Sequence, residues 1–192
     1  RLGVLAQMRQ AAMPLGRAEY RSPRGQRLFS YDYRHLAHSA KGRMLAIMRD
    51  RVIDVLAQAL GRDVHIRYAT TVTALADAPT GAAVTFSDGD SQEFDIVVGA
   101  DGYRSALRAL CFGPHEDYLR PLGYRAAAWR MPLTTPLASS FVGMMDVDLQ
   151  GGVYAVGDGT AATLYCWRDS SPERVPHERR QAILMERFGG WA

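Results

Sequence analysis

A run of apolar and β-branched residues that leads directly into a glycine-rich turn constrains this chain more than any other feature. Residues 94–98 read Phe-Asp-Ile-Val-Val and predict a strand that is buried on both faces. Gly-Ala-Asp-Gly follows at 99–102, and a helical period resumes over Ser105–Leu110. A strand, a tight glycine turn and a helix in this order form the element with which open α/β sheets bind nucleotides. The segment therefore predicts an α/β fold with a ligand at the turn.

The side chains of this turn suit contact with a sugar and a phosphate. The strand would deliver Asp101 to the carboxyl edge of the sheet, where a carboxylate can accept from ribose hydroxyls or bind a pyrophosphate through water. Gly99 and Gly102 allow a sharp turn and a close approach of the backbone to a ligand. Ser105 can cap the next helix, and Arg108, one turn later, can lie beside an anion or pair with Asp101.

Hydrophobic periodicity predicts the elements before this turn. The predicted elements are a helix over Leu2–Arg9, a hairpin with arms Ala18–Ser22 and Arg27–Tyr33, and a helix that begins at Arg49-Asp50 and ends at a left-handed Gly61. A period of two then predicts strands at Val64–Ile66, Val72–Leu75 and Ala83–Phe86, with a hairpin turn at 87–90 in which Gly89 has a positive φ.

Beyond Gly113-Pro114 the pattern changes to strands separated by proline and glycine, which is typical of an antiparallel sheet. The predicted elements are strands at Tyr124–Met131, Phe141–Val147, Gly152–Val156 and Ala162–Trp167, and a closing helix at Glu173–Phe188. We therefore expect two domains, residues 1–112 and residues 113–192.

The turn also carries a nearly complete motif, Gly-Ala-Asp-Gly-x-x-Ser-x-x-Arg at 99–108. It resembles the second flavin motif of the FAD-dependent aromatic-ring hydroxylases, the class A flavoprotein monooxygenases with the para-hydroxybenzoate-hydroxylase fold. In that family the motif contacts FAD and takes part in NAD(P)H binding. The resemblance implies these roles at the matching positions Asp101, Gly102, Ser105 and Arg108. The alternative is a turn of this shape that serves packing alone.

Two further segments resemble the same family. Arg49-x-x-Val52-x-x-x-Leu56 is similar to the helix start whose arginine contacts the flavin pyrophosphate or ribose, although an arginine at a helix start is often simply solvated. Such an arginine adds bidentate donors to amides that already face an anion. The strand around Val72 is similar to the one whose backbone borders the adenine, or is a strand with one buried face.

The resemblance implies an α/β fold, α+β overall. It combines a partial FAD-binding Rossmann-like domain over 1–112 with a mostly antiparallel substrate-binding domain over 113–192, toward which the 17–33 hairpin packs. The family's Gly-x-Gly-x-x-Gly and Gly-Asp motifs are absent from the sequence, and Gly157-Asp158-Gly159 indicates a hairpin turn instead. We interpret the chain as an internal fragment that is inactive and binds no flavin by itself.

The activity implied for the parent protein is an FAD-dependent monooxygenation. NADPH or NADH reduces the flavin, and one oxygen atom of O2 is transferred to an aromatic or polyketide-like small molecule, with the sheet over 124–167 as the floor of the substrate pocket. The side chains proposed for the core or the pocket are Tyr124, Trp129, Phe141, Met144 and Tyr154. The sequence identifies no catalytic acid or base.

Other classes of function are open or disfavoured. An inactive truncated product, a small-molecule binding module and a non-oxygenase flavoprotein of the same fold are the alternatives. A net charge of +3 could suit nucleic acid, but the arginines are scattered among acids, which argues against that partner. Neither an apolar run of membrane length nor a secretory signal is visible, and Cys111 and Cys166 lack metal or redox spacing. We therefore expect a cytoplasmic protein that binds no metal or membrane, and the sequence predicts no oligomeric state.

Overall fold

A computed structural model describes residues 2–14, 16–137, 139–171 and 173–191. Within these residues the helices and strands are, in chain order, α1 (Leu5–Ala11), β1 (Arg17–Arg21), β2 (Arg27–Asp32), α2 (Tyr33–Ser39), α3 (Arg49–Gln58), β3 (Val72–Ala78), β4 (Gly81–Phe86), β5 (Ser91–Phe94), α4 (Ala106–Phe112), β6 (Tyr124–Pro132), β7 (Phe141–Asp146), β8 (Leu149–Ala155), β9 (Thr160–Arg168) and α5 (Arg180–Phe188). No described helix combines the length and the apolar character needed to cross a membrane.

The chain divides into two compact units, which differ from the predicted domains. The larger unit combines Arg1–Leu60 with Leu122–Ala192, and the smaller unit is Gly61–Pro121. The predicted division between residues 112 and 113 falls inside the smaller unit. Gly113 does end α4 with a φ of 105°, so this glycine marks a helix end rather than the boundary of a unit.

The larger unit is built on a six-stranded sheet with the order β2-β1-β7-β8-β9-β6. The four strands predicted after residue 113 are confirmed as β6 to β9, and they pair antiparallel. The turn at Gly157-Asp158-Gly159 is confirmed as the β8–β9 hairpin turn, with both glycines at positive φ and the Val156 amide donating to the Thr160 carbonyl at 2.9 Å.

The predicted 17–33 hairpin is also confirmed. Strands β1 and β2 pair antiparallel around a turn at Gly25, whose φ is 77°. Strand β1 then pairs parallel with β7, with Ala18 opposite Phe141 and Arg21 opposite Met144. The hairpin therefore belongs to the same sheet as β6 to β9.

Helix α5 and the residues after it cover one face of this sheet. Trp167, which is 3% exposed, lies with its ring centroid 5.9 Å from that of Phe188. Tyr165 lies on the same face, with its ring centroid 4.7 Å from that of Phe188 and 6.4 Å from that of Trp191. Burial of these large rings supplies most of the apolar core at this face.

Phe141 fills the other face of the sheet because two glycines leave room for its ring. Gly143 and Gly152 are paired across β7 and β8. A Cβ atom on Gly143 would lie 2.8 Å from the Phe141 ring, and one on Gly152 would overlap the same ring. Tyr20 and Tyr154 cover the ring at centroid distances of 5.3 and 4.3 Å, so Phe141 is only 3% exposed.

The smaller unit is a three-stranded antiparallel sheet, β3-β4-β5, with α4 against β3. The predicted 87–90 turn is confirmed, and Gly89 has a φ of 92°. Arg67 binds the carboxylates on both sides of this glycine, Asp88 at 2.5 Å and Asp90 at 2.9 Å.

The predicted buried strand over Phe94–Val98 is wrong. Strand β5 ends at Phe94, and residues 96–100 form neither helix nor strand. Ile96 and Val98 are 79% and 76% exposed. A strand needs a neighbour for its backbone hydrogen bonds, and within the described residues no strand pairs with residues 95–98. The predicted strand over Val64–Ile66 is absent from the described segment 61–71 in the same way.

Several helix boundaries also differ from the prediction. The first helix runs over Leu5–Ala11, somewhat later than predicted. Helix α3 ends at Gln58 with Ala59 as a right-handed cap, so Gly61 is not its left-handed cap. The last α-helix begins at Arg180 rather than Glu173, after a short 3-10 turn at His177–Arg179.

Candidate functional site

The turn before α4 is held by hydrogen bonds among its own residues. The Asp101 carboxylate accepts from the Ser105 hydroxyl and from the Leu107 amide, the latter at 3.1 Å. The Ser105 hydroxyl in turn accepts from the Arg108 amide at 2.9 Å, which confirms the predicted helix cap. Ser105 is buried, so its hydroxyl serves the turn itself.

Asp101 and Gly102 present the outer surface of this turn. The hydrogen bond from Ser105, followed by that from the Leu107 amide, lowers the pKa of Asp101, so its carboxylate stays ionised at neutral pH. An ionised carboxylate offers about four acceptor positions, so it can also accept from a ligand hydroxyl. Gly102 has a φ of 84° with open space beside its Cα, where a ligand can approach the backbone.

Arg108 is directed at the segment after α4. Its Nη2 donates to the Tyr103 carbonyl at 2.6 Å and lies 3.1 Å from Nδ1 of His115. The guanidinium carbon lies 5.9 Å from the centroid of the Tyr118 ring, and the buried Nε has no hydrogen-bond partner among the described residues. The predicted pair with Asp101 is therefore not formed. Sequence reasoning missed His115 and Tyr118, although Gly113-Pro114 signals a turn that brings them back to the helix.

A cleft of about 610 Å³ lies beside this turn within the smaller unit. Its lining combines backbone, polar and apolar groups: Leu75, Val97, Gly99, Gly102, Ser105, Leu107, Arg108, Cys111, Phe112 and Tyr118. The turn is thus accessible from a concave surface.

Val72 begins β3, an edge strand of the small sheet. It pairs with Phe86 on one side, with an irregular register before Ala74. Its other backbone edge has no partner strand within the described sheet and is open to a ligand. The predicted contact of Val72 with an adenine stays a prediction.

Arg49 is the first residue of α3, in the larger unit. Its side chain is exposed and forms no hydrogen bond or ion pair with any described residue. Its guanidinium and the amides of the first helical turn are therefore available to an anion. The structure brings Asp101, Gly102, Ser105 and Arg108 together in one turn, while the proximity of Arg49 to that turn stays a prediction.

The predicted pocket residues of the large sheet divide between its two faces. Strand pairing places Tyr124, Phe141 and Tyr154 on the face away from α5, and Trp129 and Met144 on the other. The face away from α5 is partly open.

Leu164 shows this openness, because it is 49% exposed between Gly152 and Ala128 on the neighbouring strands. A shallow cavity of about 90 Å³ lies beside it and is lined by Phe141, Gln150, Gly152, Tyr154, Leu164 and Cys166.

A scan against models of protein families found no match. Among curated proteins, the chain is 29% identical over 194 residues to the aurachin C monooxygenase/isomerase of Stigmatella aurantiaca, covering 99% of this chain and 49% of that protein. It is 46% identical over 69 residues to the 3-amino-4-hydroxybenzoate 2-monooxygenase PtmB3 of Streptomyces platensis, covering 35% of this chain and 17% of that enzyme. The chain thus spans about half, or less, of the length of the curated relatives it matches.

Solved structures show the same fold. The structure of HpxO from Klebsiella pneumoniae with FAD and uric acid matches 100% of this chain and 51% of its own, with a TM-score of 0.71 and 21% identity. The predicted mixed α/β fold is therefore confirmed, and it is the fold of an FAD-complexed protein.

Proposed function

We propose that this chain is part of a flavin-dependent monooxygenase. In this proposal the whole protein binds FAD, uses NADPH or NADH as co-substrate, and hydroxylates an aromatic or polyketide-like small molecule. The observation that carries it is the exposed Asp101-Gly102 turn, which stands on a fold that a protein solved with FAD shares over the whole chain. The relatives named as monooxygenases support the same reaction class.

The residues present fit an anionic dinucleotide. Arg49 is an unpaired cation at the start of a ten-residue helix, which suits the pyrophosphate. The ionised Asp101 suits ribose hydroxyls, and Gly102 lets the backbone come close. Val72 would contribute only through its backbone.

In this proposal Ser105 and Arg108 do not contact the cofactor directly. Both side chains already bind the turn or the segment after α4. Their role is to hold Asp101 and Gly102 in place, which maintains the geometry of the binding groups. When bound, FAD supplies the redox chemistry and the reaction with O2, while the protein binds, orients and shields the reactants.

The open face of the large sheet suits the substrate. Leu164, with the small residues Gly152 and Ala128 beside it, forms a flat apolar surface. A planar ring can pack on such a surface, and Gln150 offers a polar group at its border. This arrangement favours an aromatic substrate, in line with the hydroxybenzoate in the name of one relative.

The test is to purify the whole protein that carries this chain and to record the visible absorbance of bound flavin. We expect stoichiometric flavin that is bleached by NADPH or NADH. Arg49→Gln should weaken flavin binding by about tenfold or more, because a charge-assisted contact to the pyrophosphate is lost. The matched control is Arg62→Gln, another exposed arginine, which should bind flavin normally. A colourless wild-type protein that still binds a small aromatic molecule would identify a binding module and contradict the proposal.

A further inference from the structure

Arg130 on β6 joins three segments of the larger unit. Its Nη1 lies 3.4 Å from Oδ2 of Asp50, in the first turn of α3. Its Nη2 donates to Oδ2 of Asp158 at 2.6 Å and to the Thr160 hydroxyl at 3.0 Å, in the β8–β9 turn and at the start of β9. The guanidinium therefore connects the start of a helix, the edge strand β6 and the β8–β9 hairpin turn.

The two carboxylates are held in place by further hydrogen bonds. Asp50 also accepts from the Arg51 amide at 2.9 Å. Asp158 also accepts from the Thr160 amide at 3.1 Å. A cleft of about 260 Å³ lies among these groups, and its lining includes Met48, Asp50, Arg51, Arg130 and Asp158. The start of α3 thus borders a concave surface that carries both signs of charge.

Asp50 has an electrostatic effect on its neighbour Arg49. A carboxylate one residue after Arg49 opposes any anion that Arg49 binds, since charges at such short range are not fully screened by salt. Arg130 lies against Asp50 and Asp158, so its one positive charge offsets part of their two negative charges. The side chains of Arg130, Asp158 and Asp50 are 38%, 46% and 53% exposed, so these pairs contribute little to folding stability.

We infer that Arg130 is a positioning residue for cofactor binding: it holds the start of α3 against the β8–β9 turn and offsets the charge of Asp50, so that Asp50 opposes the flavin pyrophosphate at Arg49 less strongly. The inference rests on the proposed function. It adds to that function a residue outside the sequence motifs, on a strand of the sheet, that acts through Arg49.

The experiment measures the flavin dissociation constant of variants of the whole protein. Arg130→Met should raise this dissociation constant about tenfold, which corresponds to a loss of about 1.4 kcal/mol of binding free energy. Asp50→Asn in the Arg130→Met background should restore most of the affinity, because the uncompensated charge is removed. Arg130→Lys should retain most of the affinity, and the dissociation constant of Arg130→Met should depend more weakly on salt than that of the wild type.

The matched control is Arg168→Met, which breaks a comparable pair with Asp148, at 3.4 Å, on the same sheet. Its flavin affinity should equal that of the wild type. Asp50→Asn alone should bind flavin at least as tightly as the wild type, which keeps the inference testable if Arg130→Met fails to fold.

Two results would overturn the inference while leaving the proposed function intact. One is an unchanged dissociation constant in Arg130→Met, and the other is a double variant that binds as weakly as Arg130→Met. A wild-type protein without flavin would overturn the proposed function together with the inference.

Discussion

Each of the two units is stabilised internally by a different kind of interaction. In the larger unit, rings such as Trp167, Phe141 and Phe188 are buried against both faces of a six-stranded sheet. In the smaller unit, the buried residues among those described are Val84 and Ser105. The unit that carries the Asp101-Gly102 turn thus has little core of its own and depends on hydrogen bonds at its turns. The position of the Asp101 carboxylate is therefore set by local polar contacts rather than by packing.

The largest expected effect tests the core of the larger unit. Trp167→Ala should reduce the free energy of unfolding by about 3–5 kcal/mol, because it removes a buried ring that packs against Phe188. Urea unfolding followed by circular dichroism measures the loss. Leu164→Ala on the same strand is the control, since truncation of this half-exposed side chain should reduce the free energy of unfolding much less. Equal losses in the two variants would contradict the assignment of the core to the α5 face.

A smaller and local effect is expected in the smaller unit. Ser105→Ala should cost about 1 kcal/mol, because the cap of α4 and a partner of Asp101 are lost together. Hydrogen exchange should become faster at the α4 amides while the strands of the larger unit keep their protection. Ser30→Ala, at an exposed position of β2, should leave exchange in α4 unchanged. Faster exchange throughout β6 to β9 in Ser105→Ala would show that the units are not independent.

The smallest effect is expected where the sequence predicted burial and the structure shows exposure. Ile96→Thr should change the free energy of unfolding of this chain by no more than about 0.5 kcal/mol, since the side chain is 79% exposed. Val84→Thr, at a buried position of the same unit, should cost more, because a hydroxyl would be buried. Thermal unfolding compares the two variants. A loss of about 2 kcal/mol or more in Ile96→Thr would indicate a buried strand at 94–98.

Features that depend on neighbours in the sequence could be predicted. Gly89 at the hairpin turn and the Ser105 cap follow from local backbone chemistry, and the structure has both. The strands of the large sheet follow from their period of two and from the glycines between them. Other local predictions failed: the strand at Val64–Ile66 is absent, α2 was not predicted, and some boundaries shifted, as at the end of α3.

Features that depend on distant partners could not be predicted. The apolar run at 94–98 has the composition of a buried strand, but composition cannot supply the neighbouring strand on which burial depends. The chain leaves the larger unit after Leu60 and returns at Leu122. The local sequence pattern does not indicate that two separate segments form one unit. The contacts of Arg108 with His115 and of Arg130 with Asp50 likewise require the folded chain.

The glycine pair under Phe141 has a consequence for how β7 and β8 align. A slip of the two strands by one residue would turn every side chain of one strand to the opposite face. A slip by two would replace Gly152 opposite Gly143 with Gln150 or Tyr154, and neither side chain can share the space that the Phe141 ring occupies. The Phe141 ring and the two glycines therefore fix the register of the β7–β8 hairpin and disfavour the registers that differ from it by one or two residues.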